Sequence, residues 1–187
     1  MAHAVTAAGV EEVLVDSPGE VEALRLEGIS ATTVGTPDVD PVLLYGLPSA
    51  EGIPATPPVM RLVGRVMSTK RLRAGEAVSY GYTFRAAADT EVALVTGGYA
   101  QGVVRSLGNH ADVEIAGALR PIVGRVAMDV CVIDLQGAAA EVGDTVTFFG
   151  GTGPASDAIA RWAEVTGMTP AELVAVPGAH AVRGWEA

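Results

Sequence analysis

The apolar and polar positions near the N-terminus predict a small β-α-β-like unit. Apolar residues within 10–16 and 31–34 predict two short strands. Between them, Ser17 and Glu20 stand at the spacing of a capping box, in which the serine side chain caps the first turn of a helix. Gly28 suits the end of that helix. The unit is too small to be a domain by itself.

From residue 59 onward the pattern changes to short runs rich in Val and Ile, separated by turn residues. The runs are VMRLVGRVMS, EVALVTGGY, DVEIAG, PIVGRVAMDVCVIDL and DTVTFFG. Turn residues such as Ala74-Gly75, Gly117 and Gly143-Asp144 lie between them. Several short strands at this spacing predict an antiparallel β-barrel or sandwich. Such a sheet must close or be covered, because open strand edges invite aggregation.

Between these two patterns the chain is rich in Pro and Gly. Residues 42–46 predict a short buried strand, and residues 49–58 predict a linker. We therefore expect residues 1–57 to form an N-terminal appendage with its linker, and residues 58–187 to form a mainly β domain.

The last forty residues predict short helices. Ser156 is placed to cap the first of them, in which Ile159 and Trp162 share one apolar face. Thr169 and Glu172 form a second capping-box pattern that predicts another helix start.

Composition narrows the classes of function. The net charge of −10 argues against nucleic-acid binding, which rewards clustered Lys and Arg. No apolar run reaches the ~20 residues of a membrane helix, and the N-terminus lacks the pattern of a signal peptide. We therefore expect a cytoplasmic protein that binds neither nucleic acid nor membrane. The single cysteine, Cys131, has apolar neighbours typical of a buried hydrophobe, and the three histidines lack metal-ligand spacing.

Four segments carry a resemblance to a known family. AGEAVSYGYTFRA, LVTGGYAQG, RPIVGRVAMDVCVIDL and VGDTVTFFG resemble, in this order and spacing, the C-terminal domain of alanine racemases. The resemblance covers roughly residues 58–175. It implies an antiparallel β-barrel-like domain with short C-terminal helices, preceded by a small α/β remnant of a barrel in residues 1–57.

The resemblance also implies roles for individual residues. Alanine racemases are pyridoxal-phosphate enzymes and head-to-tail dimers, in which a barrel lysine forms the Schiff base and the other subunit's β-domain supplies a tyrosine as acid/base. Tyr80 matches that catalytic tyrosine. Tyr99, Arg125, Met128 and Asp129 match substrate-binding positions near the active-site entrance.

Each of these residues also has a purely structural interpretation. Tyr80 could be an ordinary strand tyrosine, and Tyr99 could pack a turn. Met128 could fill a core, since methionine adapts to irregular gaps. Arg125 and Asp129 could form structural polar contacts.

Several parts of the family pattern are missing. The only lysine is Lys70, inside the β-domain, and no segment resembles the lysine-bearing stretch of the barrel. Where the family has Arg-Pro-Gly-Ile, this chain has Val39-Asp40-Pro41. We therefore expect no cofactor in this chain alone, with pyridoxal phosphate present only if a partner barrel supplies its site, and no metal.

Three hypotheses of function remain open at this point. The chain could be a non-catalytic accessory domain that homodimerises or docks onto a barrel-bearing racemase chain. It could be one part of a split racemase that lends Tyr80 to a separate barrel. It could also be a repurposed, cofactor-independent enzyme or small-molecule binder. A self-contained racemase is not expected, and a homodimer is.

Overall fold

The computed structural model describes residues 2–7, 9–35, 45–48 and 56–184. The chain divides into two compact units, Met1–Pro41 and Val42–Ala187. Most of the strand predicted at residues 42–46 and of the linker predicted at 49–58 lies outside the described residues. The domain boundary expected at residues 57 and 58 stays a prediction.

The first unit contains the β-α-β order that its sequence predicts, preceded by a short helix that the sequence did not predict. Its elements are α1 (Ala2–Ala7), β1 (Val13–Leu14), α2 (Pro18–Leu26) and β2 (Ala31–Thr32). The two strands pair in parallel, and Ser17 and Glu20 form both hydrogen bonds of the capping box. Both strands are shorter than their apolar runs, since only two residues of each are paired.

The second unit is built on one six-stranded antiparallel sheet. Its strands are β3 (Leu62–Leu72), β6 (Thr90–Thr96), β7 (Asp112–Ile115), β8 (Ala118–Pro121), β9 (Val130–Asp134) and β10 (Thr145–Phe149), in the spatial order β8-β7-β10-β3-β6-β9. The mainly β, antiparallel fold class predicted from the sequence is confirmed.

The sheet curls until its two outer strands meet. Just beyond β8, Ile122 forms an antiparallel bridge with Ile133 of β9, and the Val123 N–H donates to the Val132 carbonyl at 2.8 Å. This contact turns the sheet into a half-barrel that protects its edges. The side chains inside the half-barrel form the main hydrophobic core. Its buried members include Leu62, Val66, Ala93, Val95, Cys131, Ile133, Val146, Phe148, Phe149 and Trp162.

A small layer lies on the outer face of β6 and β9. Strands β4 (Ala77–Val78) and β5 (Phe84–Arg85) form a two-stranded antiparallel sheet, joined by a 3-10 turn at Tyr80–Tyr82. Val78 and Phe84 pack against a second apolar cluster that contains Leu72, Ala86, Val92 and Val123. The sequence pattern did not predict this layer, because strands of two residues leave no periodic signal.

The Val- and Ile-rich run at residues 121–135 is extended only in part. Gly124 has φ +73°, which interrupts the extended backbone, and only Val130–Asp134 forms β9. The residues between them form an irregular segment that lies beside the Tyr80 turn.

The C-terminal helices are α3 (Ala158–Thr166) and α4 (Pro170–His180). Ile159 and Trp162 are buried as predicted, and the Trp162 ring meets Phe149 edge-on at 5.3 Å. The capping box of Thr169 and Glu172 is confirmed. Ser156 as cap of α3 is wrong: residues 154–157 form turns, in which the Ser156 N–H donates to the Gly153 carbonyl and the Ala158 N–H donates to the Ala155 carbonyl. The helix therefore starts later, with Asp157 at the N-cap. None of the helices in the described part of the chain is long and apolar enough to cross a membrane.

Candidate functional site

Tyr80 lies at the start of a strained turn rather than in a strand. Ser79 has φ +67° and ψ +172°, a backbone region that is otherwise almost restricted to glycine. Tyr82 also has a positive φ of +48°, and Gly81 has φ +76°. The two tyrosine side chains are 69% and 67% exposed. Strain of this kind costs about 1–3 kcal/mol per residue and persists only where the surroundings enforce it.

The segment Gly124–Arg125 enforces the first half of the turn. The Ser79 hydroxyl donates to the Arg125 carbonyl at 2.6 Å. Gly124 passes so close that a Cβ added there would lie 2.5 Å from the Ser79 Cβ. Only a residue without a side chain can lie this close to Ser79. The φ of +73° at Gly124 also favours glycine at this position.

Asn109 connects the second half of the turn to the same segment. Its Nδ2 donates to the Thr83 hydroxyl at 3.2 Å, and its Oδ1 accepts the Gly124 N–H at 2.7 Å. The residue itself has φ +66°, a conformation for which asparagine is enriched among non-glycine residues.

A groove of about 620 Å³ opens between this turn and the sheet. One wall is the segment from Ala77 to Tyr82, and mainly outward-facing residues of β6 and β9 line the other side. Its lining residues are Ala77, Val78, Ser79, Tyr80, Gly81, Tyr82, Leu94, Arg125, Ala127, Val130, Cys131 and Val132.

Arg125 is the only ionisable residue of the groove lining other than its two tyrosines and Cys131. Its guanidinium carbon lies 3.4 Å from where a Cβ on Gly81 would stand, so the guanidinium packs over the backbone of the Tyr80 turn. This places a permanent positive charge beside Tyr80. The groove can therefore present a phenol and a cation together, a pair that suits a small anionic or carboxylate-bearing ligand.

Tyr99, Met128 and Asp129 form a neighbouring group. The Tyr99 N–H donates to the Ala127 carbonyl at 3.0 Å, and the Ala100 N–H donates to the Met128 carbonyl at 2.9 Å. These contacts require a glycine at 98, where a Cβ would lie 2.3 Å from the Met128 carbonyl oxygen. The side chain of Met128 is 54% exposed, which excludes the interpretation of Met128 as a core filler.

Polar contacts orient this second group. Gln101 accepts the Gly98 N–H at 3.0 Å and donates to Asp129 at 3.1 Å. The Arg105 guanidinium lies 5.3 Å from the centre of the Tyr99 ring, within the range of a cation–π contact. Asp129 therefore has a structural contact with Gln101.

The structure thus sorts the five predicted site residues into two adjacent groups. Tyr80 and Arg125 line the groove, whereas Tyr99, Met128 and Asp129 lie beside it and connect to it through the backbone of Ala127. Sequence reasoning missed Asn109 and the role of Ser79. A lone asparagine after a glycine was the one local signal for Asn109, because asparagine tolerates positive φ.

The groove residues do not fit a covalently bound pyridoxal phosphate. The lining contains no lysine, and Lys70 is exposed on β3, paired with Val92. Burial raises the pKa of the Cys131 thiol to about 12, so it is not a nucleophile at neutral pH. Among the described residues, no group of three or more His, Cys, Asp or Glu side chains could hold a metal ion.

A second pocket of about 300 Å³ lies elsewhere in the same unit. Tyr45, Pro57, Met60, Phe149 and Ile159 are among its mainly apolar lining residues. It contains none of the predicted site residues.

The fold and the groove together define a class: a curled antiparallel β-domain that presents tyrosines and an arginine on its outer face. The family model "Alanine racemase, C-terminal domain" matches residues 59–184. This match covers more than half of the chain, and the chain therefore belongs to the alanine racemase C-terminal domain family.

The sequence of the chain is also similar to those of individual alanine racemases. The chain is 38% identical over 164 residues to an alanine racemase of Mycobacterium avium, covering 82% of this chain and 42% of that protein. It is 39% identical over 119 residues to an alanine racemase of Chlorobaculum tepidum, covering 62% of this chain and 31% of that protein. The chain thus spans less than half the length of these relatives.

Solved structures show the same coverage. The biosynthetic alanine racemase of Pseudomonas aeruginosa matches with a TM-score of 0.69 and 29% identity, over 78% of this chain and 41% of the other. An alanine racemase from Streptomyces lavendulae matches with a TM-score of 0.64 and 35% identity, over 70% and 36%.

Proposed function

We propose that this chain is an accessory β-domain of the alanine racemase type, which docks through its tyrosine-bearing face and does not racemise amino acids alone. The observation that carries the proposal is the exposure of that face. Tyr80, Tyr82 and Met128 are each more than half exposed, beside a groove that is open to solvent. Tyr, Met and Arg are enriched in protein interfaces.

The groove supplies only part of what a racemase needs. Two-base racemisation places one proton-transferring group on each face of a planar carbanion, with an electron sink to stabilise it. Tyr80 and Tyr82 lie on one wall, and the lining offers no amine to bind the cofactor. Catalysis by this chain alone is therefore not expected.

The occupant that we propose for this face is a second copy of the chain. A closed two-fold dimer is the commonest way in which an exposed apolar surface is buried. The net charge of −10 does not prevent it, because repulsion is screened beyond ~8 Å at physiological salt. Tyr80 then lies near a cleft between the two copies.

Light scattering over a hundredfold dilution tests the dimer, with twice the chain mass of 19.0 kDa expected at high concentration. Tyr82→Arg should shift the population to the monomer, because it puts a charge into the apolar contact. Val142→Arg is the matched control, since Val142 is 72% exposed but lies outside the groove lining. A wild-type mass fixed at 19.0 kDa, or equal effects of both variants, would overturn the proposed dimer.

The chain's lack of its own cofactor site is tested separately. The purified chain is incubated with pyridoxal phosphate, reduced with borohydride and analysed by mass spectrometry. We expect no stoichiometric phosphopyridoxyl adduct. Such an adduct at Lys70, together with an absorption band that survives gel filtration, would contradict the proposal.

One observation favours a second candidate function, in which the chain lends Tyr80 to a separate racemase barrel. The phenol is exposed, and its turn is strained and fastened at both ends, as is common at active sites. The test mixes this chain with an alanine racemase barrel from which the β-domain has been deleted. Gain of D-alanine formation with the wild type but not with Tyr80→Phe would support it. Equal activity with the wild type and with Tyr80→Phe, or no activity with either, would contradict this second function and leave the accessory role as the only proposal.

A further inference from the structure

The backbone conformation of the Tyr80 turn is not one that its own residues prefer. Ser79 and Tyr82 both have positive φ, with ψ +172° at Ser79 in a region that side chains disfavour. Neither residue has the conformational freedom of glycine, so each would relax to another conformation if released. Contacts from other parts of the chain must therefore hold the turn.

Two side chains hold it from opposite ends. At the first end, the Ser79 hydroxyl is bonded to the Arg125 carbonyl at 2.6 Å. At the second end, Thr83 accepts from Asn109, whose amide oxygen in turn accepts the Gly124 N–H. Both ends are thus fastened to consecutive residues, Gly124 and Arg125, and the turn is aligned with the wall that carries the arginine.

The chemistry of asparagine suits this position better than that of other residues. The Asn109 side chain donates to the Thr83 hydroxyl and accepts from the Gly124 N–H, which an amide does with its two ends. Its backbone must also adopt φ +66°, and its N–H donates to the Ile122 carbonyl at 2.8 Å. The Asn109 side chain therefore sits on an anchored backbone and is aimed at the turn.

On the basis of the role proposed for Tyr80, we infer that Asn109 is a positioning residue. It holds the strained turn in register with Gly124–Arg125 and so sets where the Tyr80 phenol is presented. Asn109 lies on the far side of Thr83 and acts through it.

The experiment places 3-fluorotyrosine at position 80 of the full chain and records its fluorine resonance, with amide exchange of residues 79–83 measured in parallel. Asn109→Gly keeps the positive φ and removes both side-chain bonds. We expect a shifted and broadened resonance and exchange about tenfold faster in the turn, because local opening becomes easier. Thr83→Val should reproduce these changes, and the double variant should add little to either one.

Two controls separate positioning from general destabilisation. Asn109→Asp also tolerates positive φ, and its carboxylate can accept from both Gly124 and the Thr83 hydroxyl, so it should restore the wild-type resonance. His110→Ala changes the adjacent exposed side chain and should have no effect. If Asn109→Gly fails to fold, Thr83→Val carries the test.

An unchanged resonance in Thr83→Val, or equal changes in Thr83→Val and His110→Ala, would overturn the inference. The proposed function is tested by a different measurement, the mass of the unlabelled chain from light scattering. A monomer whose fluorine signal still responds to Asn109→Gly would remove the docking role and leave the positioning role in place.

Discussion

The inner and outer faces of β6 and β9 use neighbouring residues of the same strands for different purposes. On the inner face, Ala93, Val95, Cys131 and Ile133 are at most 1% exposed and join the main core. On the outer face, Leu94, Val130 and Val132 are only partly buried and line the groove beneath Tyr80.

This difference separates the part of the domain that stabilises the fold from the face to which we assign the proposed function. The inner face has ordinary backbone geometry and dense apolar packing, which lowers the free energy of the fold. The outer face carries strained residues, exposed aromatic rings and a cation, which do not. An arrangement that costs stability and is still fastened by Ser79 and Asn109 supports the docking surface that we propose.

The largest expected difference between the faces is in the reactivity of a cysteine. Cys131, whose raised pKa reflects burial, should react with a thiol reagent at least about a thousandfold more slowly in the native state than when unfolded, since reaction requires opening of the domain. Leu94→Cys in a Cys131→Ala background puts the thiol on the opposite face and should react much faster. Equal native rates, measured by mass spectrometry, would show that the faces are not distinct.

Removal of a large side chain should have unequal effects in the main core, which the inner face joins, and in the turn above the outer face. Trp162→Ala empties a fully buried site and should lower the free energy of unfolding by about 3–5 kcal/mol. Tyr82→Ala removes a ring that is 67% exposed and should cost within about 0.5 kcal/mol. Urea denaturation checks both values. A cost of several kcal/mol for Tyr82→Ala would mean that the outer face is part of the core.

The backbone strain at Ser79 predicts that substitution by glycine destabilises the fold less than substitution by alanine. Ser79→Ala loses the hydrogen bond to Arg125 and keeps the strain, whereas Ser79→Gly loses the bond and relieves the strain. We therefore expect the glycine variant to be the more stable of the two by about 1 kcal/mol. Thermal unfolding in the same buffer measures the difference. An alanine variant as stable as the glycine variant would show that the backbone at Ser79 is relaxed.

The smallest expected effect is on the pH dependence of stability and concerns the capping box at the start of α4. This site lies outside both faces and provides a reference for them. The Thr169 N–H and hydroxyl both donate to Glu172, which lowers the pKa of that carboxyl below its usual 4.5. A lowered folded pKa contributes stability above pH 4.5 that is lost as the pH falls through the folded value. Glu172→Gln should flatten the melting temperature between pH 6 and about pH 3 slightly relative to the wild type. An identical pH dependence in both proteins would contradict this assignment.

The features that the sequence predicted well are those whose cause lies within a few residues. The capping boxes at Ser17 and Thr169 are confirmed because both partners stand three residues apart. The cap at Ser156 is wrong because turns at residues 154–157 move the start of the helix to Ala158, with Asp157 at the N-cap. A local capping pattern cannot show that neighbouring turns delay the start of the helix.

By itself, the sequence determined the Val- and Ile-rich runs, most of the strands, the two confirmed caps and the family to which the chain belongs. It also predicted Tyr80 and Arg125 as site residues, because the motifs that resemble the family consist of consecutive residues. Only the tertiary structure decided that the sheet closes at Ile122 and Ile133, that Tyr80 sits in a strained turn, and that Asn109 fastens it. These contacts join residues 11 to 46 positions apart. The physical reason is that such pairs meet only after the sheet has curled, so no local periodicity records them.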